Sequence, residues 1–87
     1  MNHLLPKQSI LVVDDTPENI TILSEVLCDD YRIRVATSGE KALKIIYSDE
    51  PPDLILLDIM MPGLSGLEIC RRLKANPDRR SIPVIFV

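Results

Sequence analysis

Three aspartates directly follow two apolar runs, and their chemistry and spacing make them the best candidates for a functional site in this chain. Asp14 and Asp15 come after the run Ser9–Val13. Asp58 comes after the run Leu54–Leu57. Because the carboxyl ends of neighbouring parallel strands meet at one edge of a sheet, this spacing predicts that the three carboxylates share one cleft. Ionised carboxylates at such short range repel one another unless a proton is retained or a cation is bound.

A cluster of carboxylates is suited to a hard cation. Oxygen ligands at a strand-end cleft favour Mg²⁺, which takes one or two carboxylates and keeps several of its waters. A cation held in this way can bind phosphate oxygens and neutralise the charge that develops in phosphoryl transfer. One aspartate placed in line could itself be the nucleophile and form an aspartyl phosphate. The alternative for Asp14 and Asp15 is turn and capping chemistry ahead of Pro17, but their combination with Asp58 favours a shared site.

Strands and helices alternate in the hydrophobic pattern around the three aspartates. The pattern predicts four strands, at Ser9–Val13, Arg32–Ala36, Asp53–Leu57 and Ile82–Val87. The first helix begins at Thr16-Pro17, and the others begin at sequences typical of capping boxes, Thr37–Glu40 and Ser65–Glu68. Helical spacing places these residues against the sheet: Ile20, Leu23, Val26 and Leu27; Ala42, Leu43, Ile45 and Ile46; and Leu67, Cys70 and Leu73.

The order of these elements predicts an α/β fold with a parallel sheet and right-handed crossovers. In the flavodoxin-like, doubly wound strand order 2-1-3-4, the first and third strands are central neighbours, and ligands bind where the order reverses. The first helix then covers one face of the sheet, and the second and third cover the other. We expect residues 1–8 to form a flexible lead-in and residues 9–87 to form one domain.

Composition excludes several other classes of protein. The chain is 46% hydrophobic with a net charge of −3, so it carries no basic excess for nucleic acid and is not a disordered chain. No apolar run approaches the roughly 20 residues of a membrane span, and the N-terminus lacks a secretory pattern. Cys28 and Cys70 fall within helical patterns and read as core residues. A cytoplasmic, reduced chain is therefore expected.

Four stretches together resemble the receiver domain of two-component response regulators: ILVVDD, TPENI, PDLILLDIMMPGLSG and IPVIFV. The resemblance runs from about Ser9 to Val87 and implies a CheY-like fold. It also implies that Asp58 accepts a phosphoryl group from a histidine kinase or phosphotransfer protein and that the signal passes to an output domain or downstream regulator. By the same resemblance Asp14, Asp15 and Asp58 hold Mg²⁺ with the backbone carbonyl of Met60, Asp15 directly and Asp14 partly through water.

The sequence departs from that family in its length. A receiver has five strands and five helices, whereas the predicted elements end at a fourth strand. The switch Ser/Thr and the phosphate-pairing lysine that the resemblance implies have no counterpart here. We therefore expect a site that binds a cation but cannot complete the usual switch, in a fragment of a longer regulator rather than a degenerate receiver. The strand Ile82–Val87 would be an unprotected edge, which predicts self-association.

Two further functions are open to a chain of this pattern. A metal-dependent phosphohydrolase of similar architecture would also use a strand-end aspartate as nucleophile. Proteins of that class have an Asp-x-Asp motif after one strand, whereas Asp58-Ile59-Met60 lacks the second acid. A receiver fold used only for binding partners, without phosphorylation, is the remaining possibility.

Overall fold

Four strands and three helices alternate along residues 7–87, the part of the chain that the computed structural model describes. In chain order they are β1 (Ser9–Val13), α1 (Pro17–Leu27), β2 (Arg32–Ala36), α2 (Gly39–Ile46), β3 (Leu54–Leu57), α3 (Gly66–Lys74) and β4 (Val84–Phe86). Most of the predicted lead-in, residues 1–6, lies outside the described residues. No helix in the described part is both long and apolar enough to cross a membrane.

The sheet is entirely parallel and has the predicted strand order, β2-β1-β3-β4. In the register, Val13 of β1 lies opposite Leu57 of β3. The backbone N–H of Asp58 continues this ladder by donating to the carbonyl of Val13 at 2.9 Å. Asp14 and Asp58 therefore leave the sheet side by side at its carboxyl edge.

Two of the predicted strands are shorter than the sequence pattern indicates. β3 begins at Leu54 rather than Asp53. Asp53 is still bonded to the amino end of β1: its N–H donates to the carbonyl of Ser9 at 2.9 Å, and its carboxylate accepts from the N–H of Ser9 at 2.7 Å. β4 runs from Val84 to Phe86 rather than from Ile82 to Val87. Pro83, which has no N–H to donate, instead offers its carbonyl to the N–H of Ile55 at 3.0 Å.

The sheet has one core on each face. We call the side covered by α2 and α3 the two-helix face. It buries Leu11, Val13, Ala36, Ala42, Ile46, Ile55, Leu57, Met61, Ile69 and Leu73. We call the opposite side, covered by α1, the one-helix face. It buries Ile10, Val12 and Leu56, with Ile20, Leu23, Leu27, Ile33 and Leu54 partly buried around them. The expected division of the helices between the faces is thus confirmed.

Some residues assigned to the core from their spacing face solvent instead. Val26 on α1 is 70% exposed, and Leu67 on α3 is 58% exposed. The buried positions of α3 are Gly66, Ile69 and Leu73. Cys28, also expected in the core, is exposed at the C-cap of α1. Spacing defines an apolar stripe, but the strand beneath a helix decides which edge of that stripe is covered.

Both helices have a serine N-cap, but among the described hydrogen bonds neither predicted capping box has its reciprocal bond from the glutamate side chain. α2 is capped by Ser38 rather than Thr37, and the Ser38 side chain accepts from the backbone N–H of Lys41 at 3.2 Å. α3 is capped by Ser65 as predicted, with the N–H of Glu68 donating to its hydroxyl at 3.2 Å. The side chain of Glu68 pairs with α3's own arginines.

Candidate functional site

The structure brings Asp14, Asp15 and Asp58 together beyond the carboxyl ends of β1 and β3. One carboxylate oxygen from each lies within 4.8 Å of the other two. Asp14 is buried, Asp58 is half-buried and Asp15 is exposed. The cluster therefore runs from the protein interior to the surface, with its open side toward solvent.

Asp14 is held by hydrogen bonds on both of its oxygens. It is 3% exposed, and a carboxylate in such a position is costly unless donors satisfy it. Its Oδ1 accepts from the backbone N–H of Thr16 at 2.9 Å, and its Oδ2 accepts from Nδ2 of Asn19 at 3.2 Å. Since Thr16 caps α1 without a side-chain hydrogen bond, Asp14 organises this turn as well as facing the cleft.

Asp58 is held by the loop that follows it. Its Oδ1 accepts from the backbone N–H of Met60 at 2.9 Å, which leaves Oδ2 without a described hydrogen-bond partner in residues 7–87. The side chain of Met60 is 84% exposed, whereas that of Met61 is buried in the core of the two-helix face. Met61 thus anchors the loop while residue 60 stays at its surface.

A glycine sets the distance between this loop and α3. A Cβ placed on Gly66 would lie 2.6 Å from the backbone oxygen of Asp58 and 3.0 Å from Cα of Ile59. Side chains are not accommodated at such separations from backbone atoms. Gly63 adopts φ of +76°, the left-handed conformation that glycine adopts without penalty. These two positions shape the loop that carries Asp58.

A cleft of about 340 Å³ opens beside the carboxylates. It is lined by Asp14, Asn19, Ile22, Leu23, Asp58 and Val87. One wall is therefore the carboxylate cluster, and the other is the apolar side of α1 with the residue that follows β4. Sequence reasoning did not assign Asn19 or Ile22 to the site. The signal for Asn19 was its place in the first turn of a helix that begins just after two aspartates.

The carboxylate cluster has few positive groups of its own. Among residues 7–87, the described ion pairs join Glu68 to Arg71 and Arg72 on α3 and do not reach the cleft. The cluster instead faces backbone and amide N–H donors, and the N-terminus of α1, where the helix dipole is positive, lies beside it. Three oxygen donors with one open side fit a hard divalent cation that retains waters.

Comparison with known proteins decides the family. The family described as response regulator receiver domain matches residues 10–87. The chain belongs to this family. The receiver-domain resemblance and the CheY-like fold are thereby confirmed, and the described residues hold four strands and three helices of the five of each that the family has.

Curated relatives match this chain over part of their own length. A probable cyclic di-GMP phosphodiesterase from Vibrio cholerae is 48% identical over 83 residues, which is 95% of this chain and 19% of that protein. Response regulator PleD from Caulobacter vibrioides is 43% identical over 79 residues, which is 90% of this chain and 17% of that protein. The chain therefore spans less than a fifth of these two relatives.

Solved receiver structures have the same fold. The N-terminal domain of a response regulator receiver protein from Methanoculleus marisnigri JR1 superposes with a TM-score of 0.83 at 43% identity, covering 90% of this chain and 63% of that one. The signal receiver domain of a histidine kinase from Syntrophus aciditrophicus superposes with a TM-score of 0.86 at 37% identity, covering 92% of this chain and 61% of that one.

Proposed function

We propose that this chain is the phosphoacceptor module of a two-component phosphorelay, with Asp58 as the residue that is phosphorylated. The single observation that carries the proposal is the convergence of three carboxylate oxygens within 4.8 Å at the strand-end cleft of a receiver fold. Asp14, Asp15, Asp58 and the backbone carbonyl of Met60 would hold Mg²⁺. Asp15, which is exposed, is the direct ligand, and Asp14 acts partly through water.

The geometry suggests how Asp58 reacts. Its Oδ1 is fixed by the Met60 N–H, so Oδ2 is the oxygen that attacks the phosphorus of the donor. A bond forms from Oδ2 to phosphorus as the bond from phosphorus to the donor atom breaks, and the donor atom keeps that electron pair. The contribution of bound Mg²⁺ is to neutralise negative charge on the phosphoryl oxygens. The product is an aspartyl phosphate at the mouth of the cleft.

The phosphoryl donor in this proposal is a histidine kinase or a phosphotransfer protein, and the recipient of the signal is an output domain or a downstream regulator. The chain acts in the cytoplasm as a signalling module, and its own chemistry is limited to accepting the phosphoryl group. The site does not support the phosphohydrolase alternative, because position 60, where that class has its second acid, is an exposed methionine. Nucleic acid is not a proposed partner, because the net charge of −3 gives the chain no basic excess.

We also propose that copies of the 87-residue chain, taken by itself, associate through β4. This strand is at the edge of the sheet, and Ile85, Phe86 and Val87 are all exposed. An unpaired strand edge with apolar side chains is a template for pairing with another chain. Sedimentation over a range of concentrations tests this proposal, and a monomer mass that stays constant across the range would contradict it.

Intact-mass spectrometry after incubation with acetyl phosphate tests the proposed phosphorylation. We expect a phosphate adduct that requires Mg²⁺ and is absent in Asp58→Asn. Asp78→Asn, which neutralises an exposed aspartate in the loop after α3, is the matched control and retains the adduct. An adduct on Asp58→Asn, or an equal adduct without Mg²⁺, would overturn the assignment. No adduct on any variant would mean either that the site cannot close without the phosphate-pairing lysine or that this receiver binds partners without being phosphorylated. Repeating the reaction on a chain extended through a fifth strand separates the two.

A further inference from the structure

Asn19 contacts the carboxylate cluster without being one of the proposed ligands of the cation. It is in the first turn of α1, three residues after the N-cap Thr16. Its Nδ2 lies 3.2 Å from Oδ2 of Asp14, and it lines the same cleft as Asp14 and Asp58. Its side chain is therefore at the boundary between the buried carboxylate and the open part of the site.

We propose that Asn19 is a positioning residue that fixes the orientation of the Asp14 carboxylate toward the cation. This inference rests on the proposed function, because it concerns the same cation site. Asn19 acts through Asp14 and does not itself need to contact the metal.

The hydrogen bonds of Asp14 carry this inference. A carboxylate held on one oxygen can still turn about its Cβ–Cγ bond, but donors on both oxygens define the plane of the group. The Thr16 N–H holds Oδ1 and the Asn19 amide holds Oδ2. Each oxygen keeps a second lone pair, which can face the cation or one of its waters. Removing Asn19 leaves Oδ2 without its described donor.

The chemistry of asparagine suits this role. Hydrogen bonds from an N–H to an ionised carboxylate are stronger than neutral ones. Groups that orient metal ligands in this way typically contribute ten- to a hundredfold to metal affinity. Because Asn19 is itself exposed, we expect an effect at the lower limit. A neutral amide also adds a donor without adding a fourth negative charge to the cluster.

The competing explanation is that Asn19 only ties α1 to the end of β1. In that case its loss would lower the stability of the fold and leave the intrinsic affinity for the cation unchanged. Asn76 provides a matched control, because its side chain likewise holds a local turn, accepting from the backbone N–H of Asp78 at 2.8 Å far along the chain from the cluster.

The test is a Mn²⁺ titration of the 87-residue chain, monitored by electron paramagnetic resonance and repeated with Mg²⁺ as competitor. The variants are Asn19→Ala, Asn76→Ala, Asp14→Asn and the double variant Asp14→Asn/Asn19→Ala. Thermal unfolding without metal is recorded for each. Asn19→Leu replaces the alanine variant if that one does not fold.

We expect Asn19→Ala to weaken binding about tenfold and Asn76→Ala to leave it within about twofold. In the Asp14→Asn background, loss of Asn19 should have little further effect, because the two residues act as one unit. Two results would overturn this inference and leave the proposed cation site standing. One is wild-type affinity in Asn19→Ala, and the other is a loss of affinity from Asn19→Ala that is as large in the Asp14→Asn background as in the wild type. Absence of saturable binding by the wild type would remove the proposed cation site and the inference with it.

Discussion

The two faces of the sheet differ in how completely helices cover them. On the two-helix face, α2 and α3 close a core of ten buried residues. On the one-helix face, α1 closes a core of three buried residues, and the outward side chains Ile22 and Val26 of α1 are exposed. The carboxylates lie beyond the carboxyl edge of the sheet, and the cleft beside them opens on the thinly covered side, since Asn19, Ile22 and Leu23 of α1 line it.

This difference separates stability from function within a small domain. Burial of apolar surface is the main favourable term in folding. The two-helix face therefore contributes most of the stabilisation that comes from burial. The one-helix face supplies the wall of the cleft and the amide that contacts Asp14. Substitutions on the two faces should therefore affect different measurements, and the following predictions test that separation.

The largest effect should come from a truncation inside the two-helix face. Leu73 is completely buried on α3, and Leu73→Ala should lower the free energy of unfolding by about 3 kcal/mol, through lost transfer energy and the cavity left behind. Leu23→Ala on α1 removes the same atoms from a half-buried position and should cost only about 1 kcal/mol. Urea denaturation followed by circular dichroism measures both.

The control for this pair is Val26→Ala on α1. Since Val26 is mostly exposed, we expect a change within about 0.5 kcal/mol. If Leu23→Ala destabilised the protein as much as Leu73→Ala does, the two faces would contribute equally to stability, contrary to this prediction.

A smaller effect is expected where the two-helix face meets the site. Gly66→Ala would place a methyl group against the backbone of Asp58 and Ile59, which cannot withdraw as a flexible side chain can. We expect a loss of about 2 kcal/mol from this overpacking, together with weaker Mn²⁺ binding because Asp58 is displaced. Urea denaturation and the metal titration measure the two effects.

Gly63→Ala is the control for Gly66→Ala. It adds the same methyl group with nothing within 4 Å of it but keeps a backbone at φ of +76°, so it should cost about 1 kcal/mol through strain alone. Equal stability of Gly66→Ala and the wild type would show that the loop and α3 can separate without cost.

The smallest effect on stability should come from removing an arginine whose hydrogen bonds join two segments on the two-helix face. Arg79, in the segment after α3, donates from Nε to the carbonyl of Ile46 at 2.7 Å and from an Nη to the carbonyl of Ser48 at 3.3 Å, at the end of α2. Arg79→Ala should cost about 1 kcal/mol, since it leaves these carbonyls without a charged donor. Thermal unfolding measures this loss.

Arg71→Ala is the comparison for Arg79→Ala. The exposed arginine Arg71 pairs, within residues 7–87, with Glu68 alone and should contribute about 0.5 kcal/mol or less. Similar losses for the two variants would mean that Arg79 is another surface arginine rather than a tie between α2 and the segment after α3.

Much of the fold could be predicted from the sequence because its signals are local. The bounds of β1 and β2 agree with the apolar and alternating patterns. Ser65 caps α3 as its position before a helical pattern indicates. The alternation of short strands and helices predicts a parallel sheet with right-handed crossovers, and the predicted strand order agrees with the observed one. The juxtaposition of Asp14 and Asp58 is a consequence of that order.

What the sequence determined by itself was therefore the kind of residue at each strand end and the order in which the strands must lie. The tertiary structure decided which side of each apolar stripe is covered, so that Val26 and Leu67 face solvent. It also decided that Asn19 meets Asp14 and that Arg79 meets the end of α2. The physical reason is range: propensity and periodicity act over a few neighbouring residues, whereas burial and these polar contacts depend on elements that only the folded sheet brings together.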